Sequence, residues 1–364
     1  DLTILSYEDE NILLKAHNVN FKVEGIVLNK KTINKKIPFS YHKYFLNCDS
    51  LYYGDNAFYT IKSNQLSATK NGLNLKYFQL KPKYSRRDFV QKIPKEKDLY
   101  SIFAEEISLN NMAWGFKKDT FFFKTQSVAI HQMNATIFRS KIPEDDLSKK
   151  ELYNNLLRNL NADIKVDTLQ IKNSFLTYEE GKTFENEPGK LIFSDFNMFV
   201  QDIESGLNKS KLPDVKIKVN CNFMKKSPLK IDWSFNVLDK TEGVKINGSI
   251  FKVDAKELEI FTKPYINIKI NGALEEVYFD FVGNDLINKG DFSLKYDDLK
   301  VVIYKGNKRV EKNKFLSAIG NLIVKDDSNK ELKTVKIEVK RNQEKSFYNF
   351  LWISIADGLK QILI

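Results

Sequence analysis

The strict alternation of apolar and polar residues that begins at Val215 is the feature that most constrains this chain. Val215, Ile217, Val219, Cys221 and Phe223 are separated by Lys216, Lys218, Asn220 and Asn222. After Lys225-Lys226-Ser227-Pro228 the pattern resumes with Leu229, Ile231, Trp233, Phe235 and Val237. A period of two places one set of side chains on each face of a strand, so the segment reads as a hairpin. The same pattern recurs at Ile266–Ile270, Val277–Phe281, Phe292–Tyr296, Leu299–Ile303 and Val335–Val339. Asn247-Gly248 and Asn271-Gly272 are tight-turn candidates, because both residue types tolerate positive φ. Earlier, the alternation survives only in pieces: Phe21 and Val23; Leu73, Leu75 and Tyr77; Phe196, Met198 and Val200. About seventeen strands fit this template.

Two helices are expected. Ser148 and Glu151 form a capping-box pair ahead of Leu152, Tyr153, Leu156, Leu157 and Leu160, which share one helical face over 148–160. The second is the segment 347–364, with Ser346 as N-cap. A short helical turn is expected near Ser85–Ile93. Two helices cannot cover so many half-apolar strands. The apolar faces must cover one another in a sandwich or barrel, or curl around a filling. The fold class expected is mostly β: a long curled antiparallel sheet with an apolar groove. Its parts are an N-terminal groove segment 1–145, a C-terminal groove segment 146–345 and an amphipathic helix 346–364. Val219, Phe223, Ile231, Trp233, Phe235, Ile268, Phe279, Phe281 and Val301 should line the groove, with Lys216, Lys218, Lys230 and Lys269 outward, since a one-residue slip would invert every side chain.

The C-terminal helix projects Phe347, Tyr348, Leu351, Trp352, Ile355, Leu359, Ile362 and Leu363 on one broad face. Asn349, Asp357, Lys360 and Gln361 lie opposite, with Phe350 and Ile353 as exceptions. Eighteen residues reach about 27 Å, marginal for spanning a bilayer. Spanning would bury Asp357 and Lys360, whereas lying flat puts Trp352 and Tyr348 at the interface such residues favour. The helix is therefore expected either to lie on a membrane through Phe347, Tyr348, Leu351, Trp352, Ile355, Leu359 and Ile362, or to cap the sheet.

No constellation of catalytic residues stands out, and no enzymatic activity or cofactor is expected. His17, His42 and His131 lack metal-ligand spacing. The adjacent carboxylates Glu105-Glu106, Glu179-Glu180, Glu275-Glu276 and Asp297-Asp298 would point to opposite faces of a strand. Ser227 and Lys230 match Ser-x-x-Lys, but that chemistry needs a helix, and Pro228 opposes one. Asp326-Asp327-Ser328-Asn329 lacks the spacing of a calcium loop. Cys48 and Cys221 could form at most one bridge. The net charge of +11 comes from lysines spread at alternate strand positions, a solvated face rather than a nucleic-acid footprint; Tyr84-Ser85-Arg86-Arg87 is the nearest basic and aromatic cluster. The chain opens at Asp1 with no targeting segment, as expected of a processed or trimmed protein.

Several runs resemble AsmA-like envelope proteins of the Bacteroidetes type, related to TamB-like lipid-transfer bridges. They are Leu80-Lys81-Pro82-Lys83-Tyr84-Ser85-Arg86-Arg87-Asp88-Phe89, the stretch from Ile137-Phe138-Arg139 to Pro188-Gly189-Lys190-Leu191-Ile192-Phe193, and Gly290-Asp291-Phe292-Ser293-Leu294-Lys295-Tyr296-Asp297-Asp298-Leu299-Lys300-Val301. The resemblance covers residues 80–350 in short phrases. It implies a periplasmic, membrane-associated β-groove that shelters acyl chains of phospholipid and supports outer-membrane biogenesis, with no catalytic residues. Implied partners are phospholipid or another acyl lipid, a membrane surface at the C-terminal helix, and outer-membrane assembly proteins, but not nucleic acid. Two other classes fit the composition: a β-rich scaffold of an outer-membrane assembly complex that moves no lipid, and a carbohydrate-acting β-sandwich, which would need carboxylates or aromatics converging on one cleft.

Overall fold

A computed structural model of the chain describes residues 1–6, 11–266, 268–303, 328 and 331–363. The side chains of Ile268 and Val301, and residues Asp326, Asp327, Asn329 and Ile364, lie outside the described residues. The protein is mostly β, built on one large sheet that is not closed. Its N-terminal strands are short: β1 (Leu2–Leu5), β2 (Ile12–His17), β3 (Asn20–Glu24), β4 (Lys43–Cys48), β5 (Ser50–Tyr53), β6 (Tyr59–Ser63) and β7 (Gln65–Thr69). Longer strands follow: β8 (Gly72–Pro82), β9 (Asp98–Asn110), β10 (Ala113–Lys117) and β11 (Thr120–Ser140). The remainder are β12 (Asp163–Gly181), β13 (Gly189–Glu204), β14 (Val215–Phe223), β15 (Ser227–Phe235), β16 (Val244–Asp254), β17 (Ile268–Gly283), β18 (Ile287–Ile303) and β19 (Lys333–Lys340).

The expected hairpin is present, with Val215 opposite Phe235 and Cys221 opposite Leu229. Its turn is Met224–Lys226, with positive φ at Met224 and Lys225. The sheet departs from a purely antiparallel one at a single described pairing: β11 and β12 run parallel, from Phe122 opposite Asp163 to Ser140 opposite Gly181. A parallel pair needs a long crossover, and residues 141–162 supply it.

That crossover carries helix α2 (Tyr153–Arg158), shorter than the 148–160 expected. The Ser148–Glu151 capping box does not form. Leu152 occupies the N-cap without a side-chain bond, the Ser148 N–H donates to Asp146, and Glu151 lies beside Lys149. Polar anchors fix the helix instead. Buried Asn154 donates to the carbonyls of Asn236 (3.2 Å) and Gly243 (2.9 Å). Arg158 donates to those of Val237 and Asp239 and pairs with Glu242. The expected short helix, α1 (Arg86–Lys92), is capped by the Ser85 hydroxyl. Its Phe89 and Val90 pack with Leu99 and Phe138.

The Asn-Gly pairs are not turns. Asn247-Gly248 lies within β16, where Gly248 faces the Phe279 ring; a Cβ there would stand 2.4 Å from the ring. Asn271-Gly272 lies within β17, where Gly272 (φ +99°) forms a bulge opposite Asp297 and Asp298. In both places glycine answers to close approach by a neighbouring strand rather than to a reversal of the chain.

Helix α3 (Glu259–Ile266) packs against β12, β13 and β17. Strands β13 and β17 lie four places apart in the pairing order, so one short helix reaches both only because the sheet curls. The main core occupies this curl. Phe235, Phe279, Phe281, Phe292, Leu294 and Tyr296 are buried together with Leu152 and with Phe347 and Ile362 of the C-terminal helix α4 (Phe347–Leu363).

Candidate apolar groove

Residues directly opposed in a ladder share a face of the sheet, so the register traces the inner surface strand by strand. One track begins at Phe21 and passes to Leu46, Ala68, Leu73, Leu109, Val128 and Leu169. It continues through Val200, Ile217, Trp233, Ile246, Phe281, Gly290 and Ile337. A companion row, two residues along each strand, passes through Leu75, Ile107, Ile130, Ile171, Met198, Val219, Ile231, Gly248, Phe279 and Phe292. Neither row contains a charged or polar side chain. A second track runs from Ile4 through Leu14, Tyr53, Ile61, Leu80, Ile102, Ala135, Leu176 and Phe193 to Phe223.

A crease separates the two tracks. Asn18, Tyr77, Gln132, Asn173 and Asp195 all have φ between 48° and 53°, while Asp49 and Asn64 interrupt β4–β5 and β6–β7 at the same level. Polar groups take over where the ladder breaks. Asn18 Nδ2 bonds Asp49 (2.6 Å), the Asn173 N–H bonds Asn197 Oδ1 (3.0 Å), and Asn222 Nδ2 bonds Asp195 (2.8 Å). Each extra residue reverses the parity of the strand beyond it. In β12 the apolar positions change from Leu169 and Ile171 to Leu176 and Tyr178. The expected alternation of Leu73, Leu75 and Tyr77 is thereby corrected: Tyr77 is a crease residue, and the apolar face resumes at Phe78 and Leu80. This is why the N-terminal half of the inner face escaped the sequence pattern; Asn18, Asn173 and Asp195 are residue types tolerant of positive φ, but Tyr77 and Gln132 carry no such trace.

The two ends of the groove differ. At the β15–β19 end, Phe235, Phe279 and Phe281 are buried in the protein's own core. Trp233 is stacked on Phe347 (4.6 Å between centroids) and edge-on to Tyr153. Val219 and Ile231 are half-buried beside them, and Phe223 lies against Phe193 at the end of the second track. Ile270, the partner of Val301 across β17–β18, also packs on this core. Lys216, Lys218 and Lys230 are exposed. Toward β3–β11, Leu73, Leu75, Ile107, Leu109, Val128 and Ile130 are half-buried and belong to neither core cluster. The track ends at Phe21, 62% exposed.

Helix α4 closes the filled end, with its face rotated from the one expected. The Ser346 hydroxyl accepts from the Asn349 N–H as N-cap (3.3 Å). Phe347, Phe350, Ser354, Gly358 and Ile362 are buried, and Leu351, Ile355, Leu359 and Leu363 pack on the core. Tyr348 (64% exposed) and Trp352 (49%) point outward. Small residues decide the rotation. Gly358 sits over the Phe292 ring, and Ser354 accepts from Asn288 (2.8 Å) and donates to the Phe350 carbonyl. The helix therefore approaches on a side that hydrophobicity alone ranks lower.

One lip of the groove is an ion-paired strip continuing the second track's face. Asp98, Arg139 and Glu180 are directly opposed on β9, β11 and β12. Arg139 Nε bonds Asp98 (2.6 Å), the Tyr178 hydroxyl donates to Glu180 (2.5 Å), and Lys141 bonds Glu96 (2.9 Å). Burial, then the Glu180 charge, pushes the Tyr178 phenol well above its usual range. Among the described residues no three His, Cys, Asp or Glu side chains converge as metal ligands. Ser227 is buried and donates to the Lys252 carbonyl, while Lys230 points to solvent, so the Ser-x-x-Lys match brings no nucleophile to a base. No described helix is long and apolar enough to cross a membrane. No protein-family model matches the chain, and no curated sequence aligns with it.

Proposed function

We propose that the protein is a non-enzymatic, periplasmic cell-envelope protein that shelters lipid acyl chains in its groove and supports phospholipid transport. The observation that carries this reading is the uninterrupted apolar track, whose β8–β11 stretch is half-buried and lies outside the protein's own core. A guest chain there gains about 0.8 kcal/mol per methylene buried. Because the lining is apolar at every step, a chain could move along it with little change in energy. The β15–β19 end is occupied by Trp233, Phe279 and Phe281, and Leu169, Met198, Val200 and Ile217 of β12–β14 also belong to or pack on that core, so the lipid-holding stretch is assigned to β8–β11. Tyr348 and Trp352, with Leu156 of α2, are largely exposed and would meet a bilayer surface that approached this end.

Lipid extraction and mass spectrometry of the purified protein, with wild type beside Ile130→Lys, tests this directly. Stoichiometric acyl lipid lost in the variant is expected; a folded protein without lipid would refute it. A scaffold role in outer-membrane assembly is the second reading. It is favoured by the exposed Leu2, Ile4 and Leu5 on the edge strand β1, which could add to a partner's sheet.

A further inference from the structure

The loop 25–42, which joins β3 to β4, is folded inside out. Its base is tied by the two backbone bonds between Val27 and Ser40 (2.8 and 3.0 Å). Its turn is held by the Thr32 hydroxyl, which accepts from the Asn29 N–H (3.0 Å), and by Asn29 Oδ1, which accepts from the Lys31 N–H (2.8 Å). Thr32 is the one buried side chain within residues 26–40, whereas Ile26, Val27, Leu28, Ile33 and Phe39 are exposed, Leu28 by 64%. Among them stand Lys30, Lys31, Lys35 and Lys36, all exposed, and no carboxylate occurs within residues 25–48. Apolar side chains grouped in water in this way add nothing to the core and mark an interaction surface. Lys36 joins the loop to the β10–β11 hairpin: its ammonium donates to the Asp119 carbonyl (3.4 Å) and stands 4.9 Å from the centre of the Phe116 ring. Phe116 opposes Phe121 (5.6 Å between centroids) and Trp114 opposes Phe123, so four rings share one face of the hairpin. Phe123 and Val128 are an odd number of positions apart on β11, which puts these rings on the face away from the apolar track. Trp114 and Phe116 are exposed. With Lys117 and Lys118 at the hairpin tip, the surface carries six exposed lysines against one carboxylate, Asp119.

Loop and hairpin lie at the same end of the strands. Glu24 opposite Lys43 closes β3–β4 there, Gly72 opposes Asn110, and Lys117 opposes Thr120. Leu73 and Leu109 of the open stretch stand one residue in from this rim. We infer that the rim docks on the surface of an anionic lipid bilayer, with Leu28, Ile33, Trp114 and Phe116 entering the interface and the lysines meeting phosphate headgroups. The mixture of side chains selects this partner. Aliphatic residues interleaved with lysines suit the boundary between headgroups and acyl chains, where tryptophan also partitions. Lysine stems lie along apolar surface while their ammonium groups stay in water. Single-stranded nucleic acid is bound by rings set in a basic groove, and Ile26, Val27, Leu28 and Ile33 offer a base no ring to stack on. Docking here needs no lipid in the groove; it would bring Leu73 and Leu109 beside the membrane.

The test measures binding of the full chain to vesicles of phosphatidylcholine alone and of phosphatidylcholine mixed with phosphatidylglycerol. Wild type should prefer the mixed vesicles. Lys30→Gln with Lys31→Gln should lower that affinity by roughly ten- to thirtyfold, from about fivefold per lysine near an anionic surface, and so remove most of the preference. Leu28→Ser with Ile33→Ser should weaken binding by about tenfold or more, because two apolar side chains no longer leave water. These four positions are exposed, and matching thermal melts would confirm the fold. In Tyr348→Ser with Trp352→Ser, Trp114 is the one largely exposed tryptophan of the three; there the preference should persist, and lipids brominated on the acyl chain should quench the fluorescence. Equal binding to both vesicles, a preference that neither loop variant lowers, a preference lost with Tyr348 and Trp352, or unquenched fluorescence overturns the docking surface. None of these outcomes bears on whether the groove holds lipid, which extraction measures separately. Retention on single-stranded DNA without vesicle binding, or a dimer dispersed by Leu28→Ser with Ile33→Ser, also overturns it and assigns the surface to nucleic acid or to a second copy of the chain.

Discussion

Replacing Gly358 by alanine sets two well-defined effects against each other. In an isolated helix, Gly→Ala stabilises by about 0.8–1.0 kcal/mol. In α4 the new Cβ would stand 2.3, 2.5 and 2.6 Å from three atoms of Phe292, where carbon–carbon contact requires about 3.5–4.0 Å. Phe292 is fully buried, opposed by Phe279 on one side and Val335 on the other, so it has little room to yield. The helix must lift by about 1 Å, loosening Phe347, Phe350 and Ile362. Overpacking of this kind costs about 1–3 kcal/mol, so Gly358→Ala should be net destabilising by about 1 kcal/mol or more. Urea unfolding followed by tryptophan fluorescence is a suitable assay, because Trp352 lies on α4 and Trp233 is stacked on its Phe347. Combining Gly358→Ala with Phe292→Leu should recover part of the loss, since the collision is with the ring. A Gly358→Ala protein more stable than wild type by about 1 kcal/mol, the bare helix-propensity gain, would refute the docking of α4 through this face.

Four further outcomes are expected. Phe279→Lys or Trp233→Glu should cost about 4 kcal/mol or more, because a charge enters an apolar core without a partner, and should show as loss of soluble protein; normal melting of either would contradict the core assignment. Tyr348→Ser with Trp352→Ser should lower liposome binding far more than it shifts the melt, because both are largely exposed and Tyr348 gives up only its edge contact with Phe347 and its bond with Tyr153; deleting the whole helix would confuse that role with loss of the core, and unchanged binding by the double variant would leave α4 a cap only. Burial pushes the Cys221 thiol up to about 12, so Cys221 should resist thiol reagents at pH 8 until the protein unfolds, as mass spectrometry of labelled peptides would show. Burial, then Asp98, pushes the Tyr100 phenol up to about 12; an acid whose folded pKa is raised contributes stability below its unfolded value near 10 that is lost as pH rises to about 12, so Tyr100→Phe should flatten the stability curve between pH 10 and 12.

The sequence by itself determined the β class, the hairpin of β14 and β15 and the register within that hairpin, because unbroken alternation on a two-residue period admits one assignment of faces. It also determined α4 with its Ser346 cap and the short α1 behind Ser85, since these depend on local periodicity and capping. Tertiary structure decided the rest. The parallel β11–β12 pairing depends on which strand the crossover returns to, which neither strand encodes alone. The crease at Asn18, Tyr77, Gln132, Asn173 and Asp195 reverses parity within strands, so the N-terminal half of the groove became visible only once pairing partners were known. Gly248 and Gly272 read locally as turns, but they are glycines because the Phe279 ring and the Asp297–Asp298 backbone approach them. The docking face of α4 followed from Gly358 and Ser354, whose small size matters only against the surface they meet. Which stretch of the apolar face is filled and which is left open was likewise a tertiary outcome: Phe281 and Ile130 lie on adjacent rows of one inner face, and only the curl of the sheet brings core onto the first.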